Sequence, residues 1–509
     1  MSQIQSLHLL IHSMTLAEKK AFRGRTCRTR SDPNYLALFD LIEKNDDLPL
    51  ADLKKRYRSQ KPGSSLETSA RYLFELLLET LLRLRKDQDS FYSLFSRILQ
   101  ARVLYEKSLF DECFALLDEV MDKAEKFENY YALLLSSRLE MEYLLALNFP
   151  KTSEKKLLRK QFKINESLKY LRKINEQSSL FEILKHRIIY KGYPRSPKQK
   201  NELNDLVFSE LSIVASQNLE NFEIRKLHQL FQSNYLISAG DYKSAFHSYH
   251  ELNTLFEANK HLWSTPPVYY LNMLEGVLVS LRGIHNYQGM GYFVEQLKKI
   301  ESPSVDFRLT LNCLTFQYEL FPLLDTGDFN PCRDHIKSYK TILYDKIASL
   351  DRVRQAELCL YTALVYLGLG EFRKAHQFLN QVILSDKKII FLPIFRTIRL
   401  VNLIILYHLG ESELIRYEIR SMKRDLRAAE KGCRIERLVF SRVTRIPAGR
   451  AVHRAKQWDK IKGLCHSIRQ DIFEQQILHI FDFTAWIESQ VLKVPLAEVM
   501  RANLKTVET

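Results

Sequence analysis

A six-residue motif that recurs at a nearly constant spacing constrains the fold of this 509-residue chain more than any other feature. It reads glycine, acidic residue, aromatic residue, two further residues and a small residue, and its best copies are 240–245, 327–332 and 370–375. Weaker copies lie at 285–290, 410–415 and 108–113. From 245 onward the last positions of successive copies are 45, 42, 43 and 40 residues apart, and 113 lies three periods of 44 before 245. Such a period indicates an array of similar structural units.

Each motif position has a mechanical role in a turn between two helices. The glycine ends one helix by adopting a left-handed conformation, and the acid beside it can cap the next helix. The aromatic packs between the paired helices, and the small residue lets their backbones approach. Apolar residues at helical spacing flank the turns, as at Leu358, Tyr361 and Val365. The residues to which we assign this structural role are Gly240, Tyr242, Ala245, Gly327, Phe329, Gly370, Phe372 and Ala375.

Composition supports a helical chain. It has 15 glycines and 14 prolines, about 3% of each, where soluble proteins average roughly 7% and 5%. β-Sandwiches, β-barrels, propellers and Rossmann-type sheets need many tight turns, so the scarcity of glycine and proline argues against those folds. We therefore predict an all-α fold of long helices joined by short loops.

The glycine–acid–aromatic–x–x–alanine turn, best matched at 240–245 and 370–375, resembles the signature of the tetratricopeptide repeat superfamily. The resemblance covers 98–440, and the start of the chain also looks like that of a group of uncharacterised bacterial helical-repeat proteins. Two features depart from the family. The period is about 43 and not 34 residues, and no copies are recognisable near 157 and 201, although 153–190 still reads as helical.

The resemblance implies a right-handed solenoid of antiparallel helix pairs. Residues 1–97 would form an N-terminal helical cap, 98–440 the repeats and 441–509 a C-terminal helical cap, since solenoids need atypical ends. The apolar stretch 472–490 would seal the open face of the last repeat. The first helix of each pair would line a groove, which places Asn234, Gln317, Tyr318 and Tyr361 on its surface.

Basic residues are clustered and offer a second candidate surface. The net charge is +16, and 151–200 alone holds 15 basic and 4 acidic residues. Arg416, Arg420, Lys423 and Arg427 lie at helical spacing and form one stripe. A local run without acids comprises Lys19, Lys20, Arg23, Arg25, Arg28 and Arg30. Each of these basic groups is either a solvated face or a site for an acidic partner.

The N-terminal region allows a nucleic-acid interpretation. Thr15 and Glu18 form a capping-box pattern, and helices are expected at 34–45, 50–58 and 65–86, with a spacing loosely like that of a helix-turn-helix unit. The last of these is apolar on nearly all sides, which is typical of a buried helix, and its exposed positions include acids that repel phosphate.

No motif in the sequence indicates catalysis. Phosphate-binding loops, dinucleotide fingerprints, nucleophile elbows and zinc-protease motifs are absent. The histidine pairs His8/His12 and His247/His250 lack a third ligand in a recognisable frame. The seven cysteines form no zinc-like grouping and are typical of free thiols in a reducing compartment.

We therefore predict a non-catalytic cytoplasmic scaffold or adaptor, without metal or cofactor, that binds a protein or peptide through the repeat groove. An acidic or extended segment is the expected ligand. The alternative is a nucleic-acid-associated regulator that uses the N-terminal helices or the basic stripes while the repeats sense a partner. No apolar stretch reaches the ~18 residues that a membrane-spanning helix needs.

Overall fold

The structure, a computed structural model, describes residues 3–26, 33–45, 50–86, 89–215, 221–302, 304–384, 393–428, 433–444 and 451–505. Within these ranges the chain forms α-helices, two short 3₁₀ helices and no β-strand. The all-α fold class is thus confirmed. The chain divides into two compact units, which are Met1–Lys173 with Pro303–Val305 and Ile174–Ser302 with Asp306–Thr509.

Unit 1 begins with five helices around a core of their own. The helices are α1 (Gln3–Ser13), α2 (Leu16–Thr26), α3 (Pro33–Glu43), α4 (Leu50–Gln60) and α5 (Leu66–Arg85). The expected capping box opens α2, since the Thr15 backbone N–H donates to Glu18 Oε2 over 2.8 Å and the Glu18 N–H donates to Thr15 Oγ1 over 3.2 Å. Buried side chains from Ile4 to Leu77 make up this core.

The remaining helices of unit 1 pack in sequence. They are α6 (Ser90–Glu106), α7 (Phe110–Lys126), α8 (Tyr130–Ala146) and the first half of α9 (Glu154–Lys191). Helices α6 and α7, α7 and α8, and also α6 and α8 are in contact. The prediction that 153–190 is helical is confirmed by α9, whose 38 residues are unbroken. The position near 157 falls in the first turn of α9, and the position near 201 falls at the end of α10.

Unit 2 continues the series from α10 to α26. Its helices are α10 (Pro197–Asn201), α11 (Asn204–Ala215), α12 (Phe222–Ser238), α13 (Tyr242–Ala258), α14 (Val268–Gly283), α15 (Tyr287–Lys298), α16 (Val305–Asp325), α17 (Phe329–Ser338), α18 (Arg352–Gly368), α19 (Phe372–Ile383), α20 (Pro393–Leu409), α21 (Ser412–Ala428), α22 (Arg434–Val443), α23 (Ala451–Gln470), α24 (Ile472–Leu478), α25 (Phe483–Leu492) and α26 (Leu496–Lys505). Several consecutive helices pack together, such as α12 with α13, α13 with α14 and α18 with α19, and α12 also contacts α14, as α18 contacts α20.

The motif turns share one backbone geometry. Gly240, Gly327, Gly370 and Gly410 have φ between 75° and 81°, the left-handed conformation that the motif predicts. His285 adopts it too, at 56°, where the motif lacks glycine. In every copy the N–H after this residue donates to the carbonyl five residues earlier, as from Asp241 to Leu236 and from Glu371 to Tyr366. The predicted capping of the next helix by the acid beside this residue is less regular.

Only some of the acids beside these glycines cap the following helix. Asp241 accepts a hydrogen bond from the Ser244 N–H over 3.0 Å, whereas Asp328 and Glu371 make no capping bond. Asp328 instead accepts from the Thr326 hydroxyl, and Glu371 pairs with Lys374.

The aromatic residue of each turn packs against the end of the first helix in the next pair. Tyr242 covers Gly283 and Phe329 covers Gly368, in both cases so closely that a Cβ atom would lie 2.3 Å from the ring. Phe372 stacks on His408 with ring centroids 4.3 Å apart. Tyr287 occupies the same position and donates to Asp325 over 3.1 Å. The four contacts repeat along the chain with the motif.

The C-terminal helices pack along the row of turns, and this differs from the expected seal over the last repeat. Gln476 Nε2 of α24 donates to the Ser238 carbonyl over 3.0 Å at the first of these turns in unit 2. Arg501 Nη2 of α26 is 2.6 Å from Asp328 Oδ1 at the third. Trp486 of α25 donates its indole N–H to His408 over 3.2 Å. Residues 472–505 therefore contact helix ends from α12 to α20.

Candidate binding face

The four residues expected in the groove lie on the first helices α12, α16 and α18, but three of them are buried. Gln317, Tyr318 and Tyr361 are 3%, 4% and 8% exposed, and only Asn234 is partly exposed. This departs from the expectation, because the first helices pack closely enough for these side chains to contact neighbouring helices. Gln317 Nε2 donates to Glu357 Oε2 over 3.4 Å, and Tyr318 Oη donates to the Glu275 carbonyl over 3.5 Å.

These contacts belong to a larger group that we name the polar cluster, made up of Lys185, Asn234, Glu275, Gln317, Arg354 and Glu357. Arg354 reaches from α18 to α14, with Nη2 2.6 and 2.7 Å from the two carboxylate oxygens of Glu275. Its Nη1 lies 3.1 Å from Glu357 Oε2. Lys185 Nζ of α9 donates to Asn234 Oδ1 of α12 over 3.3 Å. The side chains of Arg354, Glu275 and Glu357 are 16%, 25% and 24% exposed, so the cluster is recessed but reached by solvent.

The electrostatics of the polar cluster follow from this recessed position. Burial lowers the pKa of Lys185, and the positive charge of Arg354 lowers it further, against the attraction of Glu275. Burial raises the pKa of Glu357 despite its contact with Arg354. Burial also opposes the charge of Arg354, but Glu275 and Glu357 outweigh it and raise the pKa of that guanidinium. The cluster thus holds paired charges with carboxamides and phenols beside them, which are groups that can hydrogen-bond a peptide.

A second buried ion pair extends the same side of the helices. The Arg282 guanidinium of α14 contacts both carboxylate oxygens of Asp325, at 2.8 and 2.9 Å. It also lies 3.7 Å from the centre of the Phe321 ring and 5.6 Å from that of Tyr361. Tyr361 therefore supports a cation within the fold and does not face an open groove.

The predicted stripe on α21 is exposed as far as the structure describes it. Arg416, Arg420 and Lys423 are exposed, whereas the side chain of Arg427 lies outside the described residues. Within the described part of the chain, Arg416 and Lys423 make no ion pair. Tyr417 on the same helix is 68% exposed. Ile419 and Met422 are buried, so α21 packs through a narrow apolar face.

Three residues of the N-terminal basic run form ion pairs within unit 1. Lys19 pairs with Glu43 at 3.6 Å, Arg23 with Asp40 at 2.8 Å, and Arg25 with Glu79 at 2.7 Å. Lys20 is exposed, and Arg28 and Arg30 lie outside the described residues.

Helix α5 is only half buried, which corrects the expectation of a buried helix. Leu73 and Leu77 are fully buried, but Tyr72, Leu78 and Leu82 are 40–55% exposed. The apolar residues outnumber the positions that the small N-terminal core can cover. Glu67, Glu75 and Glu79 are exposed on the same helix. This surface therefore combines apolar and acidic side chains, which do not attract the phosphates of a nucleic acid.

Sequence reasoning missed most of the polar cluster. Lys185, Glu275, Arg354 and Glu357 were not singled out, since each reads locally as an ordinary charge on a helix. The repeat register held one usable signal. Glu275 precedes His285 by ten residues, as Gln317 precedes Gly327, so the two occupy equivalent positions on successive first helices.

Comparison of the chain with models of protein families, with curated proteins and with solved structures gives no match. In the part of the chain that the structure describes, no helix is long and apolar enough to cross a membrane. The same residues contain no group of three or more histidine, cysteine, aspartate or glutamate side chains placed to hold a metal ion.

Proposed function

We propose that the chain is a tetratricopeptide-like solenoid of helix pairs that acts as a non-catalytic scaffold and binds a protein partner on the side of unit 2 that carries the polar cluster. The turn geometry supports the repeat interpretation. Four turn aromatics, Tyr242, Tyr287, Phe329 and Phe372, each contact the end of the next first helix. A contact that recurs with the sequence period is what stacked repeats require.

The observation that carries the binding proposal is the convergence of α12, α14, α16 and α18 on one recessed polar cluster. Charged groups with 16–25% exposure remain within reach of a ligand. Buried charges cost free energy unless they are paired, so we take this recessed cluster, to which the five helices α9, α12, α14, α16 and α18 contribute, as the recognition surface. The six described cysteines are free buried thiols, which suits the reducing cytoplasm expected from the sequence.

The test uses two double variants of matched composition. Lys185→Gln with Glu275→Gln changes the polar cluster, and Lys374→Gln with Glu371→Gln changes an exposed ion pair at the start of α19. Each immobilised protein is exposed to lysate of its host at about 150 mM salt, with and without nuclease. We expect a nuclease-resistant protein that the wild type and the α19 variant capture and the cluster variant loses. Equal capture by both folded variants would reject the cluster as the binding face.

The exposed stripe on α21 keeps a nucleic-acid partner as the second candidate. Arg416, Arg420 and Lys423 point to solvent, and phosphate binding through them would weaken steeply with salt. Recovery of nucleic acid that disappears on nuclease treatment, and on changing these three residues to alanine, would favour that function over the scaffold.

A further inference from the structure

The segment between α9 and α10, residues 192–196, crosses the side of unit 2 that carries the polar cluster, and we name it the crossing segment. Lys185, about two helical turns before its start, donates a hydrogen bond to Asn234 of α12. Arg195, near its end, lies 3.4 Å from Glu436 Oε1 of α22, 241 residues further along the chain. About ten residues therefore lead from the contact with α12 to the contact with α22.

Tyr193 fills the middle of this path. Its ring packs against the core, and burial together with the charges of Glu275 and Glu357 raises the pKa of its phenol. The phenol of Tyr361 on α18 raises this pKa further. Tyr193 therefore packs on the core of unit 2, where the charges of Glu275 and Glu357 act on its phenol.

The sequence of the crossing segment keeps it extended. Gly192 has φ of 76° and ends α9, and Pro194 fixes its own φ and disfavours a helix before it. Ser196 caps α10 by accepting from the Gln199 N–H, and Pro197 follows at the first helical position. An extended chain with side chains anchored on successive helices is the form in which a helical-repeat face takes a ligand.

The groups beneath the crossing segment keep partners of their own without it. Glu436 is 2.6 Å from Arg396 Nη2 and accepts the Cys433 N–H over 3.0 Å. Arg195 is the more distant of the two cations on this carboxylate.

The same holds at the polar cluster, where Arg354 pairs with both Glu275 and Glu357. Removing Arg195 and Tyr193 would therefore strand no buried charge, and release of the segment avoids the large cost of an unpaired ion.

We propose that the crossing segment is an intramolecular occupant of the partner-binding face, and that the partner presents an extended peptide with an aromatic residue followed two positions later by a cation. This rests on the proposed scaffold function. Arg195 contacts the carboxylate of Glu436, so the matching residue of the partner peptide is basic, which differs from the acidic ligand expected from overall charge. The partner peptide makes the contacts of Tyr193 and Arg195 in their place. In the free protein the crossing segment therefore occupies the binding face.

The test measures binding of a peptide that reproduces residues 190–198, labelled with fluorescein, by fluorescence anisotropy. The key variant carries Tyr193→Ser and Arg195→Ser, and the matched control carries Tyr190→Ser and Lys191→Ser, which lie just before the segment and are exposed. A tethered segment competes at millimolar effective concentration. We expect the key variant to bind the peptide at least tenfold more tightly than the wild type and the control. A peptide in which the residues equivalent to Tyr193 and Arg195 are serine should not bind.

A measurement on the unaltered protein guards against a variant that does not fold. Excess peptide should displace the crossing segment and increase amide hydrogen exchange at 192–196 in the wild type, while exchange in α14 and α18 stays the same. Unchanged exchange, or equal affinity of the folded key variant and the wild type, overturns the proposal. If lysate capture still depends on the polar cluster in that case, the scaffold function stands and only the intramolecular occupant is rejected.

Discussion

At the scale of single residues, unit 2 packs aromatic rings against positions that lack a Cβ atom. Gly276 of α14 lies under the buried ring of Tyr249, and a Cβ atom there would be 2.1 Å from Tyr249 Cζ. Helix α15 offers a contrasting glycine, Gly291, which has nothing within 4 Å of its Cβ position. The two glycines therefore separate packing from helix propensity.

We expect Gly276→Ala to destabilise the protein by about 1–3 kcal/mol, because Tyr249 must move within a closely packed core. Gly291→Ala should instead stabilise it by up to about 1 kcal/mol, through the higher helix propensity of alanine. Urea unfolding followed by circular dichroism measures both changes. A neutral Gly276→Ala variant would show that the ring relocates at no cost.

His408 makes stability depend on pH. Burial, with a smaller effect from the charge of Lys493, lowers the pKa of His408 to about 4, and its Nε2 accepts the Trp486 indole N–H. An unfolded histidine titrates near 6.5, so the unfolded chain binds more protons between about pH 6.5 and 4. The stabilisation is complete above 6.5 and is lost as the pH falls through this window.

We expect acid to lower the unfolding free energy by up to about 3 kcal/mol through this one group. His408→Gln keeps an acceptor for Trp486 but does not titrate, so its stability should fall less between pH 6.5 and 4. The comparison requires urea unfolding at several pH values. Parallel pH profiles for the two proteins would contradict the assignment. His479, whose pKa burial and nearby Arg282 lower to about 3, contributes in both proteins.

At the scale of elements, the helix pairs are readable from the sequence because their signals are local. The left-handed glycine, the aromatic and the small residue of each turn lie within six positions, and their period survives where one residue differs, as at His285. The docking of α24–α26 and the crossing segment is not readable. It depends on contacts between residues 78 to 241 positions apart, which leave no periodic pattern.

The candidate face was only partly predictable for the same reason. Asn234 and Gln317 followed from their place on first helices, but which charges meet depends on how closely those helices pack. Arg354 reaches Glu275 over 79 positions, past α16, and no spacing rule anticipates this pair.

The contact of α26 with the third turn gives a prediction at the element scale. Gly327 and Gly370 share φ of 75°, so alanine is strained equally at both by about 1–2 kcal/mol. A Cβ atom on Gly327 would lie 2.8 Å from Ala497 Cα of α26, whereas the position at Gly370 is open. We expect Gly327→Ala to cost more than Gly370→Ala and to raise hydrogen exchange in α26 alone. Equal losses without faster exchange in α26 would show that this helix does not pack on the turn.

At the scale of the whole molecule, much of the positive charge is used inside the fold. Arg282 and Arg354 contact carboxylates that lie 43 and 79 positions away in sequence. Such ion pairs do not change the net charge of +16, and exposed cations on the surface of α21, such as Arg416 and Lys423, carry part of the excess. A polyanion would compete for that surface and not for the polar cluster.

The C-terminal helices give the most far-reaching prediction, because a simple end cap and the observed packing differ in which helices respond to their removal. In a solenoid whose repeats contact only their neighbours, deleting a terminal cap loosens the adjacent repeat. Here α24 contacts Ser238 and Tyr242, and α26 contacts Asp328. Deletion of 471–509 should therefore increase hydrogen exchange at the 240 and 327 turns, more than 140 residues from the new end.

The single change Arg501→Ala serves as the graded control, since it removes only the ion pair at 327 and leaves the 240 turn in place. We expect faster exchange near 327 and unchanged exchange near 240, because α24 retains its own contacts. An increase limited to α20–α23 in the deletion variant would mean that the C-terminal helices act as an ordinary end cap. Faster exchange at both distant turns would show that the C-terminal helices stabilise turns along unit 2 and not only the helices next to them.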